Sequence, residues 1–264
     1  MKLYVIAAVI MLSVVIIPGC QKPITFSSAE RQEAPLQTNK NKILIDASRD
    51  GGVWWFPQSS ETGFAPGNDH QGKQLADYLR SLGYEVNELP RGTIITDDIL
   101  NKYNKVIRAS GFGNYTTSEL EAYDHFINRA SSLILMQDHL LNFPNDNLSE
   151  HLGVQFAGGL GGNITNFVTN PITAGVTSLS YGFGSVVINA DKNSTMTILG
   201  SFGSSDYFDR NNNGEFDSGD ISSPAVMGIL NSHPYCRIFC MGDLNGLETM
   251  PQPFLNNLLQ WAFK

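Results

Sequence analysis

The densest run of potential metal ligands in the chain is Asp209-Arg-Asn211-Asn-Asn213-Gly214-Glu215-Phe216-Asp217-Ser-Gly-Asp220. Oxygen-bearing side chains at positions 1, 3 and 5, glycine at 6, an apolar residue at 8 and acids at 9 and 12 follow the EF-hand rule. Short Asp and Asn side chains wrap a hard cation only where the chain turns sharply, which glycine permits, and position 7 offers its carbonyl. The expected Ca2+ ligands are therefore Asp209, Asn211, Asn213, Asp217 and Asp220, with the backbone of Glu215. Asp220 stands where the motif usually has glutamate, which shortens the reach. The flanks read as a strand and a Pro224-containing loop, as in calcium loops of extracellular modules. A structural role is expected. The alternative is an acidic Asn/Gly turn that binds nothing.

A second set of acids follows apolar runs. Asp46 ends Ile43-Leu44-Ile45, Asp138-His139 follows Leu133-Ile134-Leu135-Met136, and Asp243 closes the run from Cys236. In open α/β sheets ligands collect outside the carboxyl ends of the strands. Ser48, Arg49, Ser110 and Asn114 belong to the same edge. Two readings stay open. Asp46, Asp138, His139 and Asp243 form an acidic pocket that holds a metal or sugar hydroxyls or runs acid/base hydrolysis, or each acid caps a helix and binds loop amides.

Short apolar runs alternating with helical periods predict an α/β fold, a mostly parallel doubly wound sheet with helices on both faces. Continuous apolar runs such as Ile43–Ile45 suit strands buried on both sides. Leu75, Tyr78, Leu79 and Leu82 mark a helix over 70–82, capped by Asn68 or Asp69 and ended by Gly83. Thr116 and Glu119 have capping-box spacing. After residue 184 the strands are joined by turns, so a more antiparallel C-terminal part is expected, closed by a helix from Pro251. Gly158-Gly-Leu-Gly-Gly162 lacks the Lys and Ser/Thr of a phosphate loop and reads as a flexible turn. Trp54, Trp55, Phe56 and Phe64 form either a stacking platform or a lid packed on the core. Cys236 and Cys240, four apart in a strand, lie roughly 13 Å apart, beyond the ~7 Å limit for a disulfide, and are expected as packed thiols.

Ile43–Gly52, Tyr115–Asp138, Thr165–Val176 and Met241–Trp261 together resemble the class I glutamine-amidotransferase-like fold, within it the DUF4350 and ThuA-like group. Asn170-Pro-Ile-Thr-Ala-Gly-Val176 is similar to a segment common there, with Asn170 in place of His. The resemblance implies a flavodoxin-like α/β fold. Amidotransferase members carry a cysteine on the sharp turn after a central strand. That turn falls at Gln137-Asp138-His139, with no cysteine near, so amidotransferase chemistry is not expected.

The chain's 42% hydrophobic content suffices for one sizeable core, and its net charge of −8 excludes a general nucleic-acid binder. Part of the apolar content is an address. Lys2, the apolar run Leu3–Ile17 and Pro18-Gly19-Cys20 have the parts of a secretory signal, too short to span a bilayer. Ile17-Pro18-Gly19-Cys20 also resembles a bacterial lipobox. The organisation expected is a signal peptide over 1–19, lipidation at Cys20, a tether over 20–40, and one domain over 41–264 carrying the calcium loop 209–220. The alternative is an uncleaved anchor or a plain secretory signal. Gln21 implies, by resemblance, the outer membrane or cell surface rather than the inner membrane. The function expected is that of a lipid-anchored, calcium-stabilised binding or scaffolding module of the cell envelope with a glycan or protein partner. The alternative is a hydrolase or carbohydrate-processing enzyme.

Overall fold

Five strands with apolar residues on both faces form the centre of the sheet. The computed structural model describes residues 41–58, 63–138, 146–189, 195–244 and 252–264. The signal, Cys20, the tether and His139 lie outside them. β1 (Lys42–Asp46) pairs in parallel with β2 (Glu85–Leu89) and β3 (Lys105–Arg108). β4 (Ser131–Met136) lies parallel between β3 and β12 (Cys236–Met241). Antiparallel strands then extend the sheet: β11 (Ala225–Leu230), β8 (Met196–Ser201) and β6 (Asn166–Phe167). The spatial order is β2-β1-β3-β4-β12-β11-β8-β6.

Alternation along each central strand builds two cores. Ile43, Ile45, Ile107, Ile134 and Phe239 pack with Leu75 and Leu79 of α1 (Lys73–Ser81) and Phe254 and Leu258 of α5 (Gln252–Ala262). Leu44, Val106, Leu133, Leu135 and Ile238 face the other way. They meet Leu100 of α2 (Asp97–Leu100), Tyr123 and Phe126 of α3 (Thr117–Ile127), and Leu148 of α4 (Asn147–His151). Helices thus cover both faces, as the sequence pattern predicts.

Thr116 caps α3 through the expected box: its hydroxyl accepts from the Glu119 amide, and Glu119 Oε2 accepts from the Thr116 amide at 2.8 Å. Two local expectations need correction. α1 starts after Gly72 with no side-chain cap, not at Asn68 or Asp69; the Lys73 amide bonds instead to the His70 carbonyl, and Gly72 lies against the Trp54 ring. The glycine run 158–162 lies within β5 (Val154–Ile164), which pairs irregularly with β7 (Leu179–Asn189). Gly158, at φ +66°, leaves room for the Phe208 ring, which a Cβ would meet at 2.1 Å. β9 (Tyr207–Phe208) and β10 (Ile221–Ser222) form a small ribbon apart from both sheets. Among the described residues no helix is long and apolar enough to cross a membrane.

Candidate functional site

The parallel strands deliver Asp46, Ala109-Ser110, Gln137-Asp138 and Gly242-Asp243 to one edge. Their side chains are buried and engaged in two networks.

The first lies around β1 and β3. Asp46 Oδ2 accepts from the hydroxyls of Tyr115 at 2.8 Å and Tyr123 at 2.6 Å, and Oδ1 accepts from the Ser48 amide at 2.9 Å. Burial, reinforced by the Asp46 charge, pushes both phenols well above their ordinary pKa, so they remain neutral donors. Asp50 is more heavily coordinated. Its Oδ1 accepts from the amides of Val53 and Trp54 at 2.9 Å and from Ser110 Oγ at 2.7 Å. Its Oδ2 accepts from the amides of Gly52 and Trp55 and from Arg91 Nη2, each at 3.2 Å. Ser110 holds φ at +48°, a left-handed conformation unusual for a residue with a Cβ. Beneath it Arg108, fully buried, donates to Asp146 Oδ2 at 2.7 Å and Ser149 Oγ at 3.0 Å. Gln137 joins this group, donating to Asp146 Oδ2 at 2.8 Å and accepting from the Gly111 amide at 3.0 Å.

The second network lies against β7. The Gly182 amide donates to Asp243 Oδ2 at 2.5 Å, and Ser185 Oγ donates to the Asp138 carbonyl. Tyr181 donates to the Ser185 carbonyl at 2.5 Å. Burial, with the charges of Asp243 and Asp138, pushes its phenol far above the ordinary value.

Asp46 and Asp243 therefore hold separate partners and do not face each other across an open cleft. Ser48, Arg49, Ser110 and Asn114 do lie with Asp46. Arg49 pairs with Glu119 at 2.5 Å, donates to the Asn114 carbonyl at 3.2 Å and stacks 4.8 Å over the Tyr115 ring. Trp54 and Trp55 are buried, with Trp55 4.8 Å from the His70 ring and 5.7 Å from Phe64; only Phe56, at 60% exposure, lies open. Asp50, Arg108, Tyr115, Tyr123 and Asp146 escape the sequence reading. Arginine in the apolar run Val106–Ala109 and an acid just ahead of Gly51-Gly52 are the signals for two of them.

The acidic loop 209–220 is a different object. It joins β9 to β10, so strands and not helices flank it. Asp209 accepts from the amides of Asn212 at 2.6 Å and Gly214 at 2.7 Å, while Asn212 and Gly214 take φ +61° and +80°. The side-chain amides of Asn211 and Asn213 converge on Asp217 Oδ2 at 2.6 and 3.0 Å. Asp220 accepts from the amides of Arg210 at 3.0 Å and Asp217 at 2.9 Å. The Gly219 amide and the Asn211 side chain hold the Asp217 carboxyl below the usual range. Among the described residues no three His, Cys, Asp or Glu side chains gather as a metal cluster. The donors here are mixed carboxylate and amide oxygens around one turn, which suits a hard cation better than a transition metal.

Cys236 and Cys240 are free, buried thiols within β12, each pushed up to about 12 by burial. The two described clefts open away from the strand-end acids. One, of about 340 Å³, lies at the amino ends of β3, β4 and β12, and the other lies between Tyr84 and α5.

No protein family matches the chain, and no curated protein matches it by sequence. Solved structures do match in fold. The N-terminal domain of mmIFT52 superposes with a TM-score of 0.57 at 15% identity, covering 84% of this chain and 96% of that one. A ThuA-like protein from Bacteroides uniformis ATCC 8492 gives 0.51 at 14% identity, covering 86% and 91%. The cytoplasmic protein STM1381 of Salmonella typhimurium LT2 gives 0.54 at 15%, covering 84% and 100%. At these identities the likeness is one of fold, and that fold is the ThuA-like, amidotransferase-like α/β architecture.

Proposed function

We propose that this chain is a lipid-anchored, calcium-stabilised binding or scaffolding domain of the cell envelope, without amidotransferase chemistry. The observation that carries the reading is the state of the carboxylates of Asp46, which ends β1, and Asp50, in the loop after it. Both are buried and saturated by protein donors, which is the condition of a group that holds loops in place. A general base needs a lone pair facing substrate or water; a nucleophilic thiol needs a lowered pKa, whereas burial raises those of Cys236 and Cys240. The address rests on Lys2, the Leu3–Ile17 run and Cys20.

Asp209, Asn211, Asn213, Asp217 and Asp220, with the Glu215 carbonyl, would hold Ca2+. The ion would tie β9 to β10 by taking the place of the Asn211 and Asn213 side-chain amides on Asp217. The alternative, hydrolysis or carbohydrate processing at the strand ends, requires Asp138 or Asp243 to reach substrate. A glycan and metabolite binding screen, run with calorimetric calcium titration, tests the proposal. Saturable ligand binding without turnover, together with heat of calcium binding, is expected. Turnover of a screened glycoside that is lost in Asp138→Asn would overturn it.

A further inference from the structure

The cations of this acidic chain are sorted by position. Among the described residues Lys42, Arg49, Lys73, Arg80, Arg91 and Arg108 each pair with an acid. Lys102, Arg129, Arg237 and Lys264 form no ion pair with an Asp or Glu side chain, and they lie at the amino edge of the sheet, on turns leading into it or, for Lys264, just past the last helix beside it. Arg210, in the 209–220 loop, likewise forms no ion pair. The amino edge also holds the 340 Å³ cleft, lined by Lys105, Tyr235, Arg237 and Lys264 and by no Asp or Glu side chain. Arg237 uses only Nη1, on the main-chain oxygens of Trp261 at 2.8 Å and Lys264 at 3.3 Å, so its Nε and Nη2 bond to no described residue. Tyr235 stands 65% exposed beside it. Of the nearby acids, Glu85 pairs with Lys42 and Asp97 faces His125, while Asp98 stands exposed at the start of α2. The opposite edge carries Asp46, Asp50, Asp138 and Asp243.

β1 starts at Lys42, so the preceding chain reaches the domain at this same basic edge. The segment from Cys20 to Lys42 spans at most ~70 Å. A lipid on Cys20 would keep the edge near a bilayer, where weak contacts suffice at high effective concentration. A net charge of −8 repels an anionic bilayer as a whole, so approach favours the edge where unpaired cations outnumber acids. We infer that the amino edge of the sheet, centred on Lys102, Tyr235, Arg237 and Lys264, is a docking surface for the phosphate headgroups of an anionic bilayer. This rests on the lipid-anchor reading above. An aromatic ring beside free cations suits the headgroup layer.

The full chain, purified from membranes and placed on vesicles of phosphatidylcholine alone or mixed with phosphatidylglycerol, tests this by hydrogen–deuterium exchange. Amides 101–105 and 233–237 should gain protection only on the mixed vesicles, and lose it in high salt. Replacing both exposed cations in R237Q/K264Q should lower the docked-to-undocked ratio about 30-fold, with an unchanged melting temperature showing that the fold is intact. Equal exchange on both lipids overturns the docking surface, and so does the same protection produced by inorganic phosphate in detergent, which assigns a free-anion site instead. Intact mass tests the anchor separately: an unmodified Cys20 overturns that reading. Docking is then judged by co-sedimentation of the full chain, where preference for phosphatidylglycerol vesicles sustains it and equal or absent binding overturns it.

Discussion

The carboxylates at the strand ends and those of the 209–220 loop are chemically alike and physically opposite. Asp50 lies 3% exposed and accepts from four amides, a serine and an arginine. Asp209, Asp217 and Asp220 belong to a loop on the surface, where amides and asparagines that a cation can displace are their partners. Burial commits an acid to whatever holds it, because an unmet charge in the interior is costly. An exposed cluster keeps its charge available to a counterion. Acids in the first region are therefore expected to govern stability whatever the solution contains, and those in the second, on the proposal above, only through a bound cation.

The largest effect that would break this contrast is at Asp50. Asp50→Ala strands buried amides and the Arg91 charge, and should cost about 3–5 kcal/mol in urea unfolding, against less than about 0.5 kcal/mol for Asp209→Ala measured with chelator. Similar costs at the two positions would erase the distinction. The next effect is at Glu88. Burial raises its carboxyl pKa, but His70 at 3.1 Å and Arg80 at 2.7 Å outweigh that and hold it below the usual range. A depressed folded pKa gives stability that is fully present above the unfolded value and is lost as pH falls through the folded one. Glu88→Gln should cost about 2 kcal/mol at pH 7, and its melting temperature should meet that of the parent chain once pH falls below the ordinary carboxylate range.

Much of the first region was legible in the sequence, for a physical reason. Strands buried on both faces need continuous apolar runs, and Ile43–Ile45, Val106–Ile107 and Leu133–Met136 show them. The Thr116–Glu119 box is likewise local. What hid was non-local. Asp46 meets Tyr115 and Tyr123, 69 and 77 residues away, and nothing in a single sequence marks those hydroxyls as its partners. The Gly158–Gly162 run looks like a turn because local glycine content favours one; the demand of Phe208 for space and the pairing with β7 make it strand. Trp54 and Trp55 show neither helical nor strand period, so their burial against His70 could not be told from exposure.

Calcium sharpens the contrast from the other side. Affinities of ~10⁻⁴–10⁻³ M, as for extracellular modules, make millimolar Ca2+ worth about 1 kcal/mol of stability, or roughly 2–4 °C in melting temperature for a chain of this size. Asp209→Ala should abolish the shift, and Asp46→Asn should leave it intact while lowering the melting temperature in both conditions. An equal calcium response in the parent chain and Asp209→Ala would place any ion elsewhere.

The smallest expected effect is an absence of reaction, and it tests burial directly. Cys236 and Cys240 sit in β12 between β4 and β11, and burial lifts both thiols to about 12. Reaction with a disulfide reagent requires thiolate and access, and the folded chain offers neither at pH 8. Labelling of Cys236 and Cys240 should therefore proceed only through opening of the central sheet. Asp50→Ala, which loosens the loop above β3, should accelerate labelling in proportion to its loss of stability, while Asp209→Ala in chelator should leave the rate unchanged. If both variants accelerate labelling alike, the small ribbon is coupled to the central sheet. The two sets of acids would then belong to one cooperative unit, since loosening either would open the same strands.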